Sequence, residues 1–210
     1  MKLTRTANAG VLLKLDGVSL LLDGLCDRVE GYLSTPEDVV QQLLQSPPDL
    51  LAFTHNHPDH CSPALLLPYI QNKRRPILGP ASLQNAQVTV GEVRVTAVET
   101  RHLGKTEPGL MHYSFVIEGS QKVWFMGDAS PMQLKKLGGF SAPDVLIAPY
   151  AYANTEAAWQ QVLSLSPKTV VIVHLPEKDR DEWGLRGQVE ETAGSFPGLW
   201  IPEIGQCRSV

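Results

Sequence analysis

Three of the six histidines in the sequence fall within one short run, Thr54-His55-Asn56-His57-Pro58-Asp59-His60. A carboxylate, Asp59, stands between the second and the third of these histidines. Neutral imidazoles and carboxylates are the ligands that zinc and other divalent first-row metals select. Packing alone explains such crowding poorly, because every buried imidazole needs hydrogen-bond partners. The run therefore predicts a metal site.

Further metal-ligand types follow apolar, strand-like segments later in the chain. Gly127-Asp128 comes directly after Phe125-Met126, and His174 comes directly after Val170–Val173. Taken alone, Asp128 is compatible with an ordinary turn residue and His174 with a hydrogen-bonded core histidine. The carboxyl ends of strands are, however, where sites in layered α/β structures usually lie.

The pattern His-x-His-x-Asp-His at residues 55–60, followed in order by His102, Gly127-Asp128 and His174, resembles the signature of the metallo-β-lactamase superfamily. This resemblance spans most of the chain. It implies an α/β fold of the four-layer αββα type, in which two β-rich halves each carry helices. It also implies a ligand set: His55, His57 and His102 for a first metal, Asp59, His60 and His174 for a second, and Asp128 bridging both.

The resemblance further implies a hydrolase that uses two divalent metal ions, with zinc as the default and manganese or iron as alternatives. Two cations ~3.5–4 Å apart can share a hydroxide and lower its pKa toward neutrality, which makes it the nucleophile. We therefore expect Asp128 to act as the bridge and Asp59 to orient the attacking water. The expected substrate is a small molecule, namely an ester, a lactone or a phosphodiester.

The third ligand of the first metal is open between His102 and His112. His102 lies in an irregular segment after the predicted strand Val93–Val98, at the spacing before Gly127-Asp128 that the resembled family shows. We favour His102 as the ligand. His112 and the adjacent Tyr113 are then expected to line the substrate pocket, with His112 as a proton donor or substrate contact.

Two residues near the histidine run also have alternative interpretations. Asp23 ends a predicted hairpin, and it is either a simple turn residue or, as is common in the resembled family, a support for a metal-binding histidine. Cys61 follows His60 and can be a soft metal ligand, but a small, buried apolar role is favoured.

The predicted elements place the run between a strand and a helix. A hairpin is expected around Asp16-Gly17, the strongest short hairpin signal. A helix is expected to begin at Thr35-Pro36 with Thr35 as its cap, and the next strand ends at Phe53. A second helix begins at Ser62-Pro63, and a later one, capped by Asn154, extends to Leu163.

Length and composition agree with one globular domain over residues 1–210, with 43% hydrophobic and 19% charged residues. Three widely spaced cysteines suit free thiols in a reducing cytoplasm, which is the expected location. No apolar run approaches the ~20 residues needed to span a bilayer, so we expect no membrane association.

The charge balance argues against a nucleic-acid partner, since phosphates favour a basic face. The net charge is −4, and the sequence pI is about 5.8. One basic run, Lys73-Arg74-Arg75, follows a predicted helix, where cations favour the negative end of the helix dipole.

Two other functions fit the same ligand set. A di-iron redox enzyme is the first, although it needs an electron-carrying partner domain that the sequence does not show. A non-catalytic metal-binding protein is the second, and the complete set of ligand types argues against it.

Overall fold

The computed structural model describes residues 1–72, 76–84, 86–104 and 107–210. The strands in this part of the chain form two mixed sheets that pack face to face. The basic run Lys73-Arg74-Arg75 lies outside the described residues.

The first sheet has six strands, antiparallel at one side and parallel at the other. The predicted hairpin turns at Asp16-Gly17, where φ is 50° and 81°, as a tight turn of this kind requires. In spatial order the strands are β13 (Cys207–Ser209), β1 (Lys2–Arg5), β2 (Val11–Leu15), β3 (Val18–Leu22), β4 (Leu50–Ala52) and β5 (Ile77–Leu78).

The second sheet has seven strands. Its first four strands in chain order pair antiparallel, and the later ones pair parallel. In spatial order they are β12 (Leu199–Trp200), β11 (Thr169–Val173), β10 (Val145–Pro149), β9 (Lys122–Phe125), β8 (His112–Glu118), β7 (Val93–Thr100) and β6 (Gln87–Val90).

Helices cover the outer faces of both sheets. Helices α1 (Glu37–Gln45) and α2 (Pro63–Asn72) pack on the first sheet, and α3 (Glu156–Ser164) and α4 (Leu185–Ala193) pack on the second. A 3₁₀ segment, Pro131–Leu137, also covers the second sheet. Three apolar clusters fill the three spaces between these layers. The predicted αββα sandwich is therefore confirmed. No helix in the described part of the chain is long and apolar enough to cross a membrane.

The predicted helix caps were wrong at two positions. The Thr35 hydroxyl does not cap α1, because it accepts from the Cys26 N–H at 2.8 Å and donates to the Gly24 carbonyl at 3.2 Å. Thr155 rather than Asn154 caps α3, and its side chain accepts from the Ala158 N–H at 3.4 Å. At α1 the loop contacts of Thr35 itself replace the capping bond, and α3 begins at Glu156, so the residue before it, Thr155, is the one placed to cap.

The sequence interpretation also missed the two strands at the chain ends, β1 and β13. Strand β1 alternates buried and less buried residues, with Leu3 and Arg5 inward. An arginine on the inward side breaks the apolar alternation that marks a half-buried strand. Strand β13 is exposed throughout and forms the sheet edge.

Candidate metal centre

The loops that follow four strands bring the predicted ligands to one edge of the sandwich. The histidine run follows β4, and His102 lies two residues after β7. Asp128 follows β9, and His174 follows β11 directly with φ of 54°. Chain segments far apart in sequence therefore meet at this edge.

Three of the histidines form a first group of possible metal ligands. His55, His57 and His102 each offer one ring nitrogen, and these atoms lie within 4.8 Å of one another. His55 is buried, whereas the other two are partly exposed. This is the set that the resemblance implied for a first ion, with His102 rather than His112 as its third member.

A second group lies beside the first. Asp59, His60 and His174 each place one ligand atom within 4.8 Å of the others. The Nε2 atom of His174 is 3.1 Å from Oδ2 of Asp59, and the His60 and His174 rings stack with centroids 5.2 Å apart. This is the set predicted for a second ion.

Asp128 lies between the two groups. Its Oδ2 atom is 3.1 Å from Nε2 of His174 and 3.3 Å from Nε2 of His60, both of the second group. The same atom is 3.6 Å from Nε2 of His102, which belongs to the first group. One carboxylate therefore faces both groups, as a bridging ligand must.

Asp23 fixes the orientation of two histidines, one in each group. Its buried carboxylate accepts from Nδ1–H of His60 at 2.9 Å and from the Thr54 hydroxyl at 2.7 Å. Because that hydroxyl donates to Asp23, its oxygen accepts from Nδ1–H of His55 at 2.9 Å. Both rings thus carry their proton on Nδ1 and turn Nε2 into the site. Asp23 supports the histidines as well as ending β3.

Other hydrogen bonds orient the remaining rings of the first group. His102 donates from Nδ1–H to the Leu103 carbonyl at 2.5 Å. His57 donates from Nε2–H to Oε2 of Glu107 at 3.2 Å, so its Nδ1 faces Nε2 of His55 at 3.0 Å. Two nitrogens with free lone pairs therefore point at each other, an arrangement that a shared cation stabilises.

The unpaired polar atoms test whether a metal fits the centre. Among the described residues, the buried Nε2 atoms of His60 and His102 and the buried Oδ1 of Asp128 have no hydrogen-bond partner. Leaving such atoms without a partner destabilises a fold, and buried groups of this kind normally find one. Imidazole nitrogens and carboxylate oxygens at this spacing fit divalent first-row ions.

Without a cation, the negative charges of the carboxylates around the second group favour protonated, positively charged histidines. Burial alone lowers the pKa of His174, but the carboxylates of Asp128 and Asp59 raise it to about 9. Burial also opposes the shift of His60, yet Asp128 and Asp23 raise its pKa well above the usual value. Conversely, although burial raises the pKa of Asp128, the two histidines lower it well below its usual range. Metal ions must displace these protons.

The structure does not support the predicted substrate contacts of His112 and Tyr113. His112 is 2% exposed, and both ring nitrogens are engaged: Nε2 accepts from the Asp128 N–H at 3.0 Å, and Nδ1–H donates to Oγ1 of Thr100 at 2.8 Å. Tyr113 is 3% exposed and packs in the cluster between the sheets, while its N–H donates to the Thr54 carbonyl at 3.0 Å. Both residues hold other parts of the site in position.

Asn8, in the turn between β1 and β2, is a site residue that the sequence interpretation missed. Its side-chain N–H donates to Oδ2 of Asp59 at 3.0 Å, and its carbonyl accepts from the His174 N–H at 3.2 Å. Arg5, 1% exposed, donates to the Asn8 carbonyl at 3.1 Å and to the Leu175 carbonyl at 2.8 Å. Through Asn8, the N-terminal turn therefore forms hydrogen bonds with two predicted ligands, Asp59 and His174.

Cys61 belongs to neither ligand group. It packs against the apolar cluster between the first sheet and its helices, and burial raises the pKa of its thiol to about 11. A thiol must lose its proton to bind a metal, so these surroundings favour the predicted apolar role.

A family model described as a beta-lactamase superfamily domain matches residues 2–174. The match covers more than half of the 210 residues, and the chain belongs to this family. The predicted resemblance to the metallo-β-lactamase superfamily is therefore confirmed. No curated protein sequence matches the chain.

Solved structures share the fold at low sequence identity. An isothiocyanate hydrolase from Delia radicum gut bacteria has a TM-score of 0.70 at 17% identity, over 100% of this chain and 99% of that one. A possible metal-dependent hydrolase from Veillonella parvula has a TM-score of 0.70 at 14% identity, with the same coverage of 100% and 99%. CmlA, a diiron β-hydroxylase from Streptomyces venezuelae, has a TM-score of 0.62 at 14% identity, over 100% of this chain and 53% of CmlA.

Proposed function

We propose that the protein is a hydrolase that depends on two divalent metal ions, zinc by default. The observation that carries this proposal is the position of Asp128, whose Oδ2 lies 3.1–3.6 Å from Nε2 of His174, His60 and His102. Two groups of three ligand atoms thereby share one carboxylate. Such a pair of bound ions supplies a hydroxide nucleophile near neutral pH and polarises the substrate oxygen.

In this proposal each ion has its own set of ligands, and one carboxylate is common to both. His55, His57 and His102 hold the first ion, and Asp59, His60 and His174 hold the second, with Asp128 between them. Asp59 and Asp128 are the catalytic carboxylates. Asn8 orients Asp59: its side-chain N–H donates to Oδ2 of Asp59 at 3.0 Å, and the same oxygen faces Nε2 of His174.

The proposed substrate is a small ester, lactone or phosphodiester. The fold is shared with structures named as hydrolases, and the family membership supports the same class of reaction. A net charge of −4 gives no general attraction for nucleic acid. We further propose that residues 1–210 act as one domain, because both sheets contribute ligands and share one core. The three free cysteines support our proposal that this domain works in the reducing cytoplasm.

A substrate-panel assay tests this function. The protein is loaded separately with zinc and with manganese and is then offered simple esters, lactones and phosphodiesters. We expect turnover of at least one of these classes by the parent protein and none by the Asp128→Ala variant. A fully loaded parent protein that turns over none of the three classes would contradict the proposal.

Metal analysis distinguishes the redox alternative. CmlA, a diiron enzyme, shares this fold, so the experiment also tests for redox activity, although the likeness to CmlA concerns the fold alone. Zinc or manganese that supports turnover without oxygen or a reductant favours hydrolysis. Turnover with iron alone, accompanied by oxygen consumption, would replace the hydrolase proposal with the redox one.

A further inference from the structure

A cavity of about 280 Å³ lies beside the second ligand group. It is lined by residues 28–33, which follow β3, and by Arg180, Glu182 and Trp183, which precede α4. One lining residue, Tyr32, meets His174 edge to face, with ring centroids 4.6 Å apart. The wall of the cavity is therefore in direct contact with a proposed metal ligand.

Aromatic rings form two sides of this cavity. Trp183 packs against Tyr32 at a centroid distance of 5.9 Å, and its ring lies directly on Gly31. A Cβ atom at Gly31 would stand 2.3 Å from Cη2 of Trp183, so a larger residue at this position would force the ring to shift. Trp183 is nevertheless 49% exposed. A large aromatic side chain that is held in place yet half uncovered beside a cavity offers a flat surface to a ligand.

The charged side chains that line the cavity give it no net attraction for an anionic ligand. Arg28 and Arg180 are balanced by Glu30 and Glu182, so the formal charges of the lining residues cancel. Ligand sites are mostly apolar with a few polar groups, and an apolar cavity of ~150 Å³ is large enough to bind benzene. The cavity therefore has room for a single ring. Trp183 and Tyr32 offer it a flat apolar surface, while charged side chains of both signs form much of the remaining lining.

We propose that this cavity binds a flat apolar group of the substrate, such as a phenyl ring, while the reacting bond lies at Asp128. Trp183 and Tyr32 are then the residues that determine specificity. This inference rests on the proposed hydrolase function, which it deepens by naming the class of group that the substrate carries. The expected substrates carry an aryl or similarly flat group, which lies on the side of the metal centre nearest His174.

A binding experiment tests the cavity independently of hydrolysis. Phenylacetamide and acetamide are added at equal concentrations to the zinc-loaded protein, and the tryptophan indole N–H signals are followed by NMR. The Trp183→Phe variant identifies the Trp183 signal by its loss. We expect phenylacetamide, but not acetamide, to shift this signal. A signal that neither compound moves would overturn the cavity assignment, whether or not the protein is a hydrolase.

A kinetic comparison tests the same residue in turnover. The ratio of kcat/KM for methyl phenylacetate to that for methyl acetate is measured in the parent, Trp183→Ala and Trp183→Phe proteins. We expect this ratio to fall about tenfold in Trp183→Ala, mainly through KM, and to be largely restored in Trp183→Phe, since one apolar contact is worth about this much. Leu67→Ala is the matched control, because Leu67 is 50% exposed on α2 outside the cavity.

The outcomes separate the two proposals. An unchanged ratio in Trp183→Ala, with both esters hydrolysed, would overturn the cavity proposal and leave the hydrolase intact. A shifted indole signal without hydrolysis of either ester would support the cavity and count against hydrolysis of esters.

Discussion

The backbone N–H of Asp128 donates to Nε2 of His112 at 3.0 Å. A backbone N–H can only donate, so Nε2 carries no proton and Nδ1–H must donate to Oγ1 of Thr100, 2.8 Å away. The Thr100 hydroxyl then donates to Ser114 at 3.0 Å, and Ser114 donates to the Met126 carbonyl at 3.0 Å. Burial lowers the pKa of His112 to about 3, which keeps the ring neutral. A buried, directed chain of hydrogen bonds thus fixes the backbone at the central carboxylate.

Replacement of His112 by alanine tests this positioning role. The change leaves the buried Asp128 N–H without its acceptor, which costs ~1–3 kcal/mol, whereas the Thr100 hydroxyl keeps its hydrogen bond to Ser114. We expect His112→Ala to keep both metal ions, to be less stable toward urea and to be slower in turnover. His112→Gln is the control, since its side-chain oxygen can accept from the same N–H and should recover part of the stability. Equal stability of the parent and His112→Ala proteins would contradict the role.

His102→Ala has a different expected outcome, because His102 offers its Nε2 atom directly to the first group. We expect this variant to retain about one metal ion per chain, since removing one of three ligands weakens the first site most. Metal counting by mass spectrometry on His102→Ala and His112→Ala decides between the two histidines. Full metal occupancy in His102→Ala would overturn its assignment as a ligand.

Metal removal is expected to lower thermal stability. The proposed ligands come from loops of both sheets, so binding stabilises the folded state and has little effect on the unfolded chain. At a free metal concentration 100 times Kd, one site contributes ~2.7 kcal/mol. Thermal melting of the loaded and the chelated protein measures this difference. Identical melting temperatures after verified metal removal would be incompatible with the proposed centre.

Metal affinity is expected to fall as the pH falls. Burial opposes protonation of His174, but Asp128 and Asp59 raise its pKa to about 9 in the metal-free protein, so below this pH the ring carries an extra proton. An ion must displace that proton, and each displaced proton weakens binding by ~tenfold per pH unit below the pKa. Calorimetry in buffers of different ionisation enthalpy should show proton release at pH 7. Binding without proton release would contradict a role for His174 as a ligand.

The positions of the predicted ligands followed from local spacing and from the order of the motifs. The run at residues 55–60 carries four of them within six positions, and apolar strands before Asp128 and His174 indicate that both lie at strand ends. Strand ends on one edge meet in a sandwich, so a family resemblance was enough to group them.

The positioning residues were harder to predict because their roles depend on register. Strand β8 begins at His112 rather than at the predicted Ser114, and alternation along it places Tyr113 with Phe115 in the core between the sheets. His112 therefore lies on the opposite face, beside Asp128. The contact of Asn8 with Asp59 joins residues 51 positions apart, so the local sequence around Asn8 does not reveal it.

The central claim is that two metal ions held around Asp128 perform the hydrolysis, and a metal titration of activity tests it most directly. The chelated parent and Asp128→Ala proteins are titrated with zinc while turnover of a panel substrate and bound metal are both recorded. Parent activity is expected to rise until two ions are bound per chain, and Asp128→Ala is expected to stay folded but inactive. Full activity of the metal-free parent, or of the Asp128→Ala variant, would contradict it.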